Sequence, residues 1–101
     1  MVKMSILEQA KKHQPRVEIQ ENKIVIKVWN EILHPMTPEH LIDNIVILKE
    51  TPNGWIKVKE FNLTANDQPI IEINKNELDP GHYKVQARCN LHWTWEEEFN
   101  L

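Results

Sequence analysis

Apolar and polar residues alternate with a period of two along most of this chain, which is the pattern of half-buried β-strands. Val17 and Ile19 alternate with Glu18 and Gln20, and Glu21-Asn22 can turn the chain. The alternation resumes over Lys23 to Trp29, with Ile24, Ile26 and Val28 on one face, so the two segments read as a hairpin. Asn30 to Glu39 contains Pro35 and Pro38 and reads as a loop. Leu41 to Leu48 is almost continuously apolar, broken by Asp43 and Asn44. Its β-branched residues Ile42, Ile45, Val46 and Ile47 favour strand over helix. Thr51-Pro52-Asn53-Gly54 is the clearest turn, because Asn-Gly tolerates positive φ. Trp55 to Phe61 follows as a strand, Asn62 to Gln68 as a polar loop and Pro69 to Ile73 as a short strand. Asp79-Pro80-Gly81 marks a second turn within Asn74 to Gly81. Tyr83, Val85, Ala87 and Cys89 then share one face of a strand from His82 to Cys89. Trp93 to Phe99 supplies the last strand, with Glu96 and Glu98 on its solvated side.

Only the N-terminus departs from this period. Ser5 and Glu8 are spaced as a capping box, and Ile6, Leu7 and Ala10 form a thin apolar stripe. The pattern predicts a short helix that is over by Lys11 or Lys12, ahead of Pro15. About seven short strands with turns between them, and no segment long enough for a parallel crossover, predict an all-β fold. An antiparallel sandwich or partly closed barrel is expected. No repeat, linker or low-complexity tract interrupts the chain, so residues 1–101 are expected to form a single domain.

Composition narrows the function classes. The 12 basic and 15 acidic residues leave a net charge of -3, without the basic excess of a nucleic-acid binder. No apolar run approaches the roughly 20 residues of a membrane span. One cysteine and no visible leader fit a reducing compartment, so a cytoplasmic location is expected.

The lone Cys89 has no intrachain disulfide partner, and His92 follows it at three positions. A thiolate and an imidazole this close suit a soft or borderline metal. There are 5 histidines, and four of them flank predicted strands or sit in loops: His13, His34, His40 and His92. His82 begins a strand and is expected to be an ordinary surface residue. A blue-copper site would use Cys89, His92, His34 or His40, and Met36 as the axial ligand. A zinc site would need only four of the candidates. Four imidazoles and one thiolate, with a sixth position open, suit iron better.

These motifs resemble a known family. His34-Pro35-Met36-Thr37-Pro38-Glu39-His40 is similar to the histidine loop of superoxide reductases, or neelaredoxins, and of the iron domain of desulfoferrodoxins. Cys89-Asn90-Leu91-His92 resembles their thiolate motif, with Trp95 beyond it. Lys12-His13-Gln14-Pro15 and Asn53-Gly54-Trp55-Ile56 also match in order. The resemblance implies a seven-stranded antiparallel immunoglobulin-like β-sandwich. It implies one non-heme iron, cycling between Fe2+ and Fe3+, held by His13, His34, His40 and His92 in the equatorial plane and by Cys89 axially. The implied reaction is one-electron reduction of superoxide to hydrogen peroxide. Lys12 matches the lysine that draws in superoxide and helps protonate product. Rubredoxin or a similar small electron donor is the implied partner, and a homodimer or homotetramer is within the family's range.

Two positions depart from the pattern. Lys11 stands where the family often has a glutamate that reaches the sixth iron position. Trp93 stands where glycine usually follows the motif histidine. They support an alternative in which the chain is a non-catalytic metal-binding or electron-transfer sandwich.

Overall fold

The computed structural model describes residues 14–28, 34–91 and 94–101. The predicted N-terminal helix, Lys11, Lys12, His13, Trp29, His92 and Trp93 lie outside the described residues.

Seven strands are present among the described residues: β1 (Pro15–Ile19), β2 (Lys23–Val28), β3 (Ile42–Thr51), β4 (Gly54–Asn62), β5 (Ile70–Asn74), β6 (His82–Cys89) and β7 (Thr94–Asn100). They form a three-stranded sheet in the order β1-β2-β5 and a four-stranded sheet in the order β4-β3-β6-β7. Every pairing is antiparallel. Both sheets feed one apolar cluster. Ile24, Ile26 and Val28 come from β2 and Ile71 and Ile73 from β5. They meet Ile42, Ile45 and Ile47 of β3 and Tyr83, Val85, Ala87 and Cys89 of β6. No helix among the described residues is long and apolar enough to cross a membrane.

Several expected details shift. The predicted strand from Leu41 to Leu48 begins at Ile42 and runs on to Thr51. Its core-facing residues, Ile42, Ile45 and Ile47, break strict alternation because the pairing with β6 slips between Ile42 and Asn44. Asp43 is the extra residue of a β-bulge, which returns Ile45 to the buried face. A second slip, between Ile47 and Leu48, leaves Val58 of β4 as the unpaired residue. At the β3–β4 turn the loop residues are Pro52 and Asn53, one position earlier than an Asn-Gly turn would place them. Gly54 pairs with Thr51 and carries the positive φ, +117°. After β5 the chain makes an unexpected 3-10 turn over Lys75–Glu77. Glu77 there accepts the Asn74 N–H at 3.1 Å, tying down the residue that leads into the turn.

At the start of β6, Tyr83 is buried and stacks on Phe99, with ring centroids 5.4 Å apart. Its hydroxyl donates to the Asp79 carbonyl, four residues back, at 2.5 Å. Burial pushes the Tyr83 phenol above its usual range, with the nearby Asp79 charge acting in the same direction.

Candidate metal centre

Three of the predicted ligand residues converge where the β2–β3 connection meets the end of β6. His34 Nδ1 or Nε2, His40 Nδ1 or Nε2 and Cys89 Sγ offer one donor atom each, all within 4.8 Å of one another. His34 and Cys89 are buried at 3% and 1% exposure, and His40 is half-buried. The two imidazole rings meet edge to face, with centroids 4.7 Å apart and planes at 81°.

Local sequence explains each placement. Cys89 is the last residue of β6 and belongs to the inward phase that begins at Tyr83. His34 is anchored by its backbone N–H, which donates to the Val28 carbonyl at the end of β2, 3.1 Å away. Its ring lies against the next residue, with Nδ1 2.8 Å from the Pro35 carbonyl oxygen. A carbonyl only accepts, so Nδ1 carries a proton, which in the neutral ring leaves Nε2 as the metal-binding nitrogen. That is the arrangement metal-binding histidines commonly adopt.

His40 closes a tight turn with Thr37. Thr37 N–H donates to the His40 carbonyl at 2.9 Å, and His40 N–H donates to the Thr37 carbonyl at 3.1 Å. The Thr37 hydroxyl adds contacts to the same residue at 3.1 and 3.2 Å. Pro38, second in the turn, suits the fixed φ of that position. Met36, the axial ligand of the copper reading, accepts the Ile42 N–H on its sulfur at 3.4 Å and packs against the core.

Arg88, beside Cys89, donates from Nε and a terminal nitrogen to the two Asp43 carboxylate oxygens, at 2.8 and 3.2 Å. This pair spans the bulge of β3. The Asp43 hydrogen bond raises the Arg88 pKa further, so the guanidinium stays charged. Gln14, next in sequence to His13, reaches β7. Its side-chain amide donates to the Glu96 carbonyl and, at 2.8 Å, to the Glu97 carboxylate.

The donor set fits a transition metal. Ligand atoms at ordinary metal–nitrogen and metal–sulfur lengths stand about 3 Å apart when adjacent and about 4.4 Å when opposite. The three donor atoms, all within 4.8 Å of one another, lie close enough to share one ion. Two imidazoles and a thiol select a soft or borderline ion over calcium or magnesium.

The family model for desulfoferrodoxins matches residues 5–98. This chain belongs to the desulfoferrodoxin family. The superoxide reductase of Pyrococcus abyssi is 31% identical to it over 100 residues, spanning 89% of this chain and 87% of that protein. A desulfoferrodoxin homolog of Archaeoglobus fulgidus is 29% identical over 85 residues, covering 84% of this chain and 61% of the relative. In three dimensions, a superoxide reductase (1Fe-SOR) from Giardia intestinalis superposes with a TM-score of 0.75 at 24% identity, over 90% of this chain and 99% of that one. That likeness bears on the fold. The desulfoferrodoxin motifs at residues 34–40 and 89–92 are thus the segments that bring His34, His40 and Cys89 together.

One contact at the site is not foreshadowed by the sequence. Asn90 stands there only as a member of the thiolate motif, yet its side chain bonds the backbone on both sides of His40. The one available signal is an asparagine directly after the cysteine.

Proposed function

We propose that this desulfoferrodoxin-family chain is a superoxide reductase of the one-iron type. The observation that carries the reading is the convergence of His34, His40 and Cys89 donor atoms within 4.8 Å. Its support is the family match and the superoxide reductase relatives. In this reading His13, His34, His40 and His92 would supply four imidazoles to one non-heme iron, and Cys89 would supply a thiolate. Bound iron, alternating between Fe2+ and Fe3+, supplies the one electron that, with two protons, converts superoxide to hydrogen peroxide.

The chain's own groups divide the remaining work. Neutral imidazoles leave most of the metal charge in place, so the site draws an anion. Lys12 supplies a further positive charge for the incoming superoxide and a proton for the product. Cys89, deprotonated when a metal binds, would raise electron density at that metal.

A rubredoxin-like protein is the proposed electron donor, the cytoplasm the proposed location, and a homodimer or homotetramer the proposed assembly. We also propose that the two sheets form one immunoglobulin-like sandwich domain over residues 1–101. The Tyr83–Asp79 hydrogen bond supports this, since a tyrosine that bonds the backbone just upstream recurs in such sandwiches.

Iron analysis and pulse radiolysis test the function together. The expected result is one iron per chain, red absorption in the oxidised form, and superoxide decay first-order in protein at near-diffusional rate. Stoichiometric iron with slow decay, unchanged in Lys12→Ala, would favour the non-catalytic alternative that Lys11 and Trp93 suggest.

A further inference from the structure

The pairing of β3 with β6 reaches Ile42 opposite Cys89 and then changes character. At the next step, Asn90 N–H donates to the Leu41 carbonyl at 3.1 Å, as a continued ladder requires. The reciprocal bond is different. Leu41 N–H donates to Asn90 Oδ1, a side-chain atom, at 2.9 Å. The other end of the same amide, Nδ2, donates to the Glu39 carbonyl at 3.1 Å. One side chain therefore holds the residue before His40 and the residue after it, while its own backbone follows directly from Cys89. On the far side of the turn His40 is already locked to Thr37.

We infer that Asn90 is a positioning residue, which holds His40 at ligand distance from Cys89. This rests on the reading of the cluster as a metal site. The chemistry of the position is demanding. It needs an acceptor for Leu41 N–H and a donor for the Glu39 carbonyl on one short planar group. Aspartate keeps the acceptor and loses the donor. Alanine loses both, and glutamine carries the amide one carbon further out. Here a side-chain oxygen takes the place of a backbone carbonyl, so the regular ladder between β3 and β6 ends at Asn90. Groups that orient metal ligands typically change metal affinity about 10–100-fold when removed.

Cobalt(II) titration against a chromogenic chelator tests this, using wild type, Asn90→Ala, Asn90→Asp and the remote control Asn44→Ala. Asn44 donates to Glu60 and Asn62, so its loss removes hydrogen bonds from the same sheet without touching His40. The expected result is about 10–100-fold weaker binding in Asn90→Ala, a smaller loss in Asn90→Asp and none in Asn44→Ala. In the metal-free protein, Asn90→Ala is expected to weaken the nuclear Overhauser contact between the His40 ring and the Cys89 β-protons and to speed Leu41 amide exchange. Wild-type affinity together with an unchanged His40–Cys89 contact in Asn90→Ala overturns the inference. Should Asn90→Ala not fold, Asn90→Asp decides by the same two measurements. A wild-type protein that binds no cobalt would sink the metal reading, and the metal-free comparison would still decide the role of Asn90.

Discussion

His82 and Cys89 bound the same strand, and they illustrate two uses of side chains on one sheet. Seven steps along β6 at about 3.3 Å each put roughly 23 Å between them, so His82 takes no part in the candidate centre. Its Nε2 lies 2.7 Å from a Glu98 carboxylate oxygen and its Nδ1 2.6 Å from Asn100 Oδ1. The Glu98 hydrogen bond, followed by that of Asn100, raises the His82 pKa above 6.5. A raised folded-state value means the charged form is favoured by folding. The resulting stabilisation is complete below the unfolded pKa, near 6.5, and fades as pH rises through the folded value. Imidazole chemical shifts should titrate above 6.5 in the wild type and move back toward it in Glu98→Gln. An unshifted midpoint in that variant would remove Glu98 as the cause. At the other end of the strand, Cys89 is buried at 1% exposure, so its sulfur meets ligands from within the protein. Cys89→Ser should abolish the red absorption of the oxidised iron form, and retention of that band would rule out Cys89 as its source.

At the scale of strands and turns, what the residues reveal depends on whether their pattern is local. β6 is legible to the residue, since its alternation from Tyr83 to Cys89 runs unbroken and its ends carry turn chemistry. The segments holding His34, His40 and Cys89 are legible as motifs for the same reason. β3 is legible only as a strand. Which of its apolar residues face inward depends on the Asp43 bulge, and that is set by pairing with Arg88 on another strand. The Asn90 contacts are hidden likewise, because they join residues 49 and 51 positions apart through backbone atoms that sequence does not distinguish. The β3–β4 turn sits between these cases: the glycine is visible and its role is displaced by one position. Gly54 has φ +117°, and a Cβ added there would meet no atom within 4 Å, so only backbone conformation penalises a side chain. Gly54→Ala should therefore cost about 1–2 kcal/mol in urea unfolding. Within the bulged strand, Ile45 is 0% exposed, and Ile45→Ala should cost about 2–5 kcal/mol by the same measurement.

For the molecule as a whole, the position of the candidate centre matters more than its size. His34 is bonded to the end of β2 in the three-stranded sheet, while Cys89 ends β6 in the four-stranded sheet. A metal held by both would cross-link the two sheets at the rim of their shared core. Unfolding separates the donors, so metal affinity becomes folding stability. At free metal a hundredfold above the dissociation constant the added stability is about 2.7 kcal/mol. For a domain of this size that corresponds to a rise of about 10–20 °C in melting temperature. The exposed Lys57–Glu60 pair is screened by solvent and joins two residues of the same strand, so it provides no comparable cross-link. Anaerobic scans with ferrous iron and with chelator should therefore differ by that interval in the wild type. The difference should shrink sharply in His40→Ala and in Cys89→Ser, whose metal-free melting is compared in the same experiment. Equal melting temperatures with and without iron, at concentrations where binding is saturated, would show that the metal does not clasp the sheets.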